Sequence, residues 1–303
     1  MTQLLPIFLN VIVPVFALVV VGYYAGPKLQ LDARTLSRYS YYILIPCFVF
    51  DTLSNAKIEA ALALRMTLYA FVVHLGCALL GFVLAKILRR DPKMIAAYMA
   101  IAIFGNVGNF GLPMIKFRFP DEPNVLEIST LYFLAIMSVS FVVNVAVANW
   151  HKGGSWKAAL AVVKTPALIA VPPALLVNFF QIGIPPMITR PISLLAAAMI
   201  PTMIVALGVQ LASAGLPKIN SDMIFSSAIR LIGGPILAVA LAMPFGVEGL
   251  GRSVGIIQAA MPTAVLTSII AFENDLIPEF VTATVLFSTV ASVITLTIVL
   301  ALV

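Results

Sequence analysis

The chain has 303 residues, 62% of them hydrophobic and 10% charged, with a formal net charge of +6. Soluble domains run at about 45–50% apolar and about 25% charged, so these charges are too few to clothe a water-facing surface and lipid must be the main solvent. No polar stretch is long enough for a separate soluble domain. The basic residues sit in short loops between apolar runs, which argues for cytoplasmic loops and against a nucleic-acid partner.

A bilayer-spanning helix needs about 20 mostly apolar residues. Taken in chain order, that length predicts ten spans, roughly Leu4 to Ala25, Leu36 to Leu53, Met66 to Leu88, Met94 to Ile115, Ile128 to Trp150, Thr165 to Ile182, Ile192 to Ala212, Met223 to Phe245, Leu250 to Phe272 and Pro278 to Val303. The start is apolar by Leu4 with no basic stretch before it, which predicts a first span rather than a cleavable signal peptide. The stretch Ser155 to Val163 reads as an interfacial amphipathic turn. Cys47 and Cys77 lie inside apolar runs and read as packing residues rather than a disulfide.

Orientation follows from Lys and Arg. Odd loops carry Lys28, Arg34 and Arg38, then Lys86, Arg89, Arg90 and Lys93, then Lys152, Lys157 and Lys164, then Lys218. Even loops carry fewer, namely Lys57, Arg65, Lys116, Arg118, Arg190 and Arg252. Odd loops are therefore expected in the cytoplasm and both termini outside. The ninth loop, with Glu273, Asp275 and Glu279, dissents, but acidic residues count little in this rule.

Ten spans divide into two fives, and halves with an odd number of spans must be inverted. The prolines support that division. Pro6 and Pro14 of the first span match Pro166 and Pro172 of the sixth, Pro46 of the second matches Pro201 of the seventh, and Pro113 of the fourth matches Pro262 of the ninth. The expected organisation is residues 1–150 as one five-helix repeat and 151–303 as its inverted partner.

The fourth span contains Gly105-Asn106-Val107-Gly108-Asn109-Phe110-Gly111-Leu112-Pro113. Three glycines, two asparagines and a proline do not continue a helix quietly. The matched stretch of the ninth span reads Gln258-Ala259-Ala260-Met261-Pro262-Thr263. Two interrupted helices at corresponding positions of two halves point to a transporter site. The half-helices expected after Pro113 and Pro262 begin with unpaired N–H groups and a partial positive charge. Where they converge they would attract a carboxylate without a buried Lys or Arg. The expected substrate-binding residues are Asn106, Asn109, Gly111, Pro113, Gln258, Pro262 and Thr263.

The string GNVGNFGLP resembles the Asn-Gly-Gly-Leu-Pro signature of the auxin efflux carrier family and its bacterial malonate-type permease relatives. Lys164 through Pro166, AAMIPTMIVALGVQL (Ala198 to Leu211), Gln258 to Pro262 and VLFSTVASVITL (Val285 to Leu296) resemble the family too, in family order over essentially the whole chain. The resemblance implies an all-α fold of ten helices like that of bile-acid symporters and sodium–proton antiporters, as two inverted five-helix repeats with the fourth and ninth broken and crossing. It implies a scaffold of helices one, two, six and seven, and a transport bundle of helices three to five and eight to ten moving elevator-fashion. Bacterial members are associated with malonate, malate and similar carboxylates, and plant members export indole-acetate. The long plant carriers have a large hydrophilic central loop; here it is only His151 to about Lys164. The family's crossover asparagine carries onto Asn106 or Asn109, both of which stand.

Other intramembrane polar groups are weighed one by one. Arg230 either snorkels to the cytoplasmic interface or lines the substrate path. His74, mid-span in the third helix, is either a proton-sensitive group or a hydrogen-bonded packing residue. Ser138, Ser140 and Asn144 of the fifth span, and Ser288, Thr289 and Ser292 of the tenth, ordinarily bond helix to helix but are candidates to face the crossing. His74, Ser138, Asn144 and Arg230 are the candidate supporting or coupling residues. Asp51 reads as a solvated helix end, and Tyr39, Tyr41 and Tyr42 as an interfacial belt.

The expected function is a secondary carrier for small organic anions, acting in efflux, in the inner (plasma) membrane and assembled as a homodimer. No cofactor or metal is expected, and sodium or proton coupling stays open. A sodium- or proton-coupled symporter is the alternative, and an anion channel the competing class; a carrier saturates where a channel does not. HExxH and nucleophile-elbow motifs are missing, so an enzyme is not expected.

Overall fold

The computed structural model describes residues 4–57, 59–148, 165–214 and 219–303, and within them every regular element is a helix. In chain order these are α1 (Leu4–Lys28), α2 (33–54), α3 (Ala60–Ile87), α4 (Pro92–Ile103), α5 (107–118), α6 (Val125–Ala148), α7 (Pro166–Phe179), α8 (Pro186–Ala214), α9 (Ser221–Ala242), α10 (Gly249–Ala259), α11 (Val265–Asn274) and α12 (Pro278–Leu302). Among the described residues six helices, α1, α3, α6, α8, α9 and α12, are long and apolar enough to cross a membrane, while α4, α7 and α11 are apolar but shorter. The chain is a multi-pass helical membrane protein. The stretch 155–163, and the basic residues of 151–164 and 218, lie outside the described residues.

Short-range chemistry sets the helix starts. Asp32 caps α2, its carboxylate accepting the Thr35 N–H at 2.9 Å and the Thr35 hydroxyl at 2.6 Å. Asp91 caps α4 by accepting from the N–H groups of Lys93 and Met94, with Pro92 in the first turn, and Asn220 caps α9 through the Met223 N–H.

Prolines shape the helix interiors in a regular way. Four π-helical turns interrupt the described helices, and each ends on the residue two before a proline: Phe8–Ile12 before Pro14, Ser40–Leu44 before Pro46, Val107–Gly111 before Pro113 and Ile229–Gly233 before Pro235. In each, the residue just before the proline donates its N–H five residues back, as Leu112 does to Val107 O. A proline has no N–H and its ring collides with the carbonyl four residues back. The wider turn moves that carbonyl aside, so the helix carries on. Pro113 therefore does not start a half-helix, as the sequence suggested; α5 begins six residues earlier, at Val107.

The helices pack most closely in two groups: α1, α2, α7 and α8, and α3 to α6 with α9 to α12. In the first group α1 and α8 cross at Gly22 and Gly208, where a Cβ on either would meet the other helix's backbone at Val205 or Val19. Small residues here let two backbones touch, the ordinary route to tight packing in lipid. Loop contacts sort by end. Arg90 and Tyr98 both meet the Asp222 carboxylate, at 2.9 and 2.6 Å, and Lys93 meets Asp275 at 3.2 Å. At the other end the Ser193 hydroxyl donates to Asp51 at 2.6 Å, Asn178 donates to Ser54 O and Ala56 O, and Glu127 accepts the Lys57 N–H. Asp51 is thus half-buried and bonded rather than only solvated. Cys47 and Cys77 carry free thiols.

The α1–α8 crossing generates a stability prediction. Gly208→Leu drives a side chain into backbone and lowers thermal stability by about 1–3 kcal/mol or more. Gly183→Leu, where a Cβ meets nothing within 4 Å, leaves the melting midpoint of the detergent-purified protein unchanged. Equal midpoints for the two variants would count against this packing.

Candidate functional site

Helix α4 stops at Ile103 and α10 at Ala259, and each chain then runs extended before a new helix begins. The two interruptions meet. Gly105 and Thr263 pair antiparallel, the Asn106 N–H donating to Pro262 O at 2.6 Å and the Ala264 N–H to Phe104 O at 2.7 Å. Each break thus satisfies the backbone of the other, which a low-dielectric interior demands.

The last turn of a helix leaves four carbonyls without an intrahelical donor. For α4 side chains supply them all. Ile103 O accepts from His74 Nδ1–H at 2.6 Å and the Ser140 hydroxyl at 3.0 Å, and Ala102 O from Arg230 Nη1 at 2.9 Å. Ile101 O accepts from the Thr263 hydroxyl at 3.3 Å, and Ala100 O from Asn144 Nδ2 in a long contact of 3.5 Å. For α10 the backbone closes most of the turn: the Ala260 N–H reaches Ile256 O and Ile257 O, and the Met261 N–H reaches Gln258 O. Ala259 O and, beyond the helix, Met261 O accept from Arg230 Nη2 and Nε. Arg230 is wholly buried. It does not snorkel to an interface, which corrects that expectation, and it is not among the residues lining the cavity described next. A carbonyl can only accept, so His74 carries its proton on Nδ1, leaving Nε2 unpartnered.

On the other face of the crossing lies a cavity of about 640 Å³. It runs from Gly105, Asn106 and Asn109 to the end of the molecule where α2 begins and α11 finishes, past Ser37, Tyr41 and Gln210, with Arg34, Arg38 and Glu273 at the outer end. Two helix starts border it, α5 through Val107 to Asn109 and α11 through Val265 and Leu266. First-turn amides have no intrahelical acceptor and carry partial positive charge. Asn106 is 4% exposed and its Nδ2 has no partner. Among the described residues the ion pairs are Arg90–Asp222 and Lys93–Asp275, so Arg34 and Arg38 form none, although Asp32 beside Arg34 and Glu273 at the outer end offset part of their charge. A buried donor, two helix N-termini and two cations outside any ion pair are the features that suit an anion. A larger groove of about 790 Å³ lies between α9, α10 and α12, but its wall is almost wholly apolar apart from Arg252, Ser253 and Thr295. Convergent polar groups, not volume, make the smaller cavity the candidate site.

Of the expected substrate residues, the cavity gathers Asn106 and Asn109. Pro262 and Thr263 build the backbone pairing behind it. Gln258 is buried against Gly111, where a Cβ would run into its side-chain oxygen, and neither end of its amide is bonded. Pro113 lies within α5 and does not line the cavity. Ser138 donates its hydroxyl hydrogen to Leu134 O within its own helix, and Asn144 donates to Ser140 O within α6 and, in the long contact, across to Ala100 O of α4. Sequence reasoning counted Arg34 and Arg38 only as loop charges and passed over Ser37 and Gln210, whose Nε2 donates to the Ser37 hydroxyl at 2.8 Å. The signal was present: Arg34, Ser37 and Arg38 recur at helical spacing and share one face.

The sequence profile of the family described as "Membrane transport protein" matches residues 7–151 and 156–300. The chain is similar to an uncharacterized transporter of Methanocaldococcus jannaschii, at 23% identity over 94% of this chain and 96% of that protein. It is 24% identical to a protein of Rhizobium meliloti named as a candidate malonate transporter, over 95% of this chain and 93% of that one. Auxin efflux carrier component 7 of Arabidopsis thaliana is 30% identical over 40% of this chain and 20% of its own length.

With Cys47 and Cys77 replaced by serine, Asn109→Cys reacts readily with a water-soluble charged thiol reagent, while Gln258→Cys stays unreactive in folded protein. Equal labelling of the two positions would remove the cavity as the accessible face.

Proposed function

We propose that this chain, which belongs to the membrane transport protein family of the auxin efflux carriers, is a secondary carrier of small organic anions, carboxylates above all. Asn106 carries the proposal: a nearly buried amide with an unpartnered N–H, at the meeting of two helix N-termini, on the floor of a cavity with Arg34 and Arg38 at its outer end. A carboxylate entering past the two cations would accept from that amide and from the first-turn N–H groups. The names of the Rhizobium and Arabidopsis relatives refer to malonate and auxin, both carboxylic acids.

The mechanism we propose is alternating access by an elevator-like shift of α3 to α6 with α9 to α12 against α1, α2, α7 and α8. The two closely packed groups support this division. We take α4 with α5, and α10 with α11, as single interrupted spans. That makes ten spans in two inverted repeats of 1–150 and 151–303, a reading favoured by the reciprocal pairing of 104–106 with 262–264. The odd loops and the cavity's outer end would face the cytoplasm of the inner membrane, both termini would lie outside, and two copies would form a dimer.

Radiolabelled uptake or counterflow in proteoliposomes, run against a panel of mono- and dicarboxylates, tests the proposal. Uptake saturates with substrate. Asn106→Ala lowers Vmax/KM roughly ten- to hundredfold, because a hydrogen bond to a charged group is worth about 1.5–3 kcal/mol. Non-saturable flux would favour a channel, and an Asn106→Ala variant with parental kinetics would remove the crossing from the binding site.

A further inference from the structure

We infer that Arg230 is a built-in cation: at the crossing it holds the place that a coupling sodium ion takes in ion-driven carriers, so transport by this chain needs no sodium. The inference rests on the carrier reading above. In carriers with interrupted helices, coupling ions are held by unwound backbone carbonyls and by half-helix C-termini. Here those acceptors are already taken. One guanidinium donates to Ala102 O at the end of α4, to Ala259 O at the end of α10 and to Met261 O in the extended segment between α10 and α11.

The charge balances. A helix C-terminus carries about −0.5 of an elementary charge. Two C-termini meet at the crossing, and one guanidinium supplies the matching unit of positive charge. Among the described residues no Asp or Glu is buried, so nothing else there neutralises Arg230 or would offer a carboxylate to a metal ion. A sodium ion entering the same cluster would find its oxygens occupied and a fixed positive charge beside it. Lysine could not hold the site in the same way, because the three carbonyls match the planar fork of a guanidinium.

Arg230 also sits directly behind the anion cavity. Gly105 lines that cavity, and a Cβ placed on it would lie 3.2 Å from Arg230 Nη2. The same charge that ties the two C-termini together is therefore felt by an anion on the far face. Arg230 acts as a positioning residue: it holds the crossing in shape and adds to the positive field without touching the substrate.

Thermal melting of the purified protein in sodium chloride against choline chloride, at equal ionic strength, tests this whatever the substrate proves to be. A bound ion stabilises the folded state by mass action. The parent chain shows no sodium-specific rise in melting temperature. Arg230→Gln, which frees the three carbonyls, gains one. In proteoliposomes, carboxylate uptake by the parent is the same in either salt, whereas a coupled ion would change apparent affinity by roughly 5–150-fold. Arg230→Lys keeps sodium-independent uptake with a raised KM. A saturable sodium effect on the parent, in melting or in uptake, overturns the inference, and so does a folded Arg230→Gln variant indifferent to sodium. If Arg230→Gln does not fold, the parent measurements decide alone. A parent that shows no sodium effect on melting and transports no carboxylate leaves Arg230 in this role and counts against the carrier reading.

Discussion

Hydrocarbon offers no hydrogen bonds, and that constraint shapes the centre of this molecule. Two helices stop at Ile103 and Ala259 inside the protein, and every backbone group released there needs a partner. Three devices supply them: extended segments that pair with each other, hydroxyls and amides from α6 and from Thr263, and the guanidinium of Arg230. Among the described residues Arg230 alone bonds to both arriving helices. Burying an arginine is costly in isolation, but here the cost is offset by three carbonyl bonds and two favourable helix dipoles.

The crossing is electrically sorted as a result. Its negative ends, the C-termini of α4 and α10, are turned to Arg230 and neutralised. Its positive ends, the starts of α5 and α11, border the cavity. These positive ends lie beside the Asn106 amide, whose Nδ2 is left without a partner. Arg34 and Arg38 extend the positive field to the cavity's outer end. Glu273 at the same end tempers it.

Prolines that look like helix breakers play a second role. At Pro14, Pro46, Pro113 and Pro235 the chain inserts a π turn and continues. The last of these turns contains Arg230 itself, and the third contains Asn109. A π turn rotates the residues it holds relative to a regular α-helix, so these prolines help to aim the two side chains at opposite faces of the crossing.

Composition and apolar run length determined the solvent, the class and the approximate helix positions, because lipid imposes one length and one polarity on every span. Local chemistry determined the caps at Asp32, Asp91 and Asn220 and the presence of breaks near Gly105 and Pro262. Local pattern placed the restart of α5 wrongly, at Pro113 instead of Val107, because whether a proline ends a helix or is absorbed by a π turn depends on what the freed carbonyls find around them. The gathering of Asn106 and Asn109 with Arg34, Ser37 and Gln210, the retreat of Gln258 and Thr263 behind the crossing, and the burial of Arg230 were decided by tertiary structure alone. Each depends on which face of one helix meets which end of another, and a linear pattern of residues carries the faces but not the meeting.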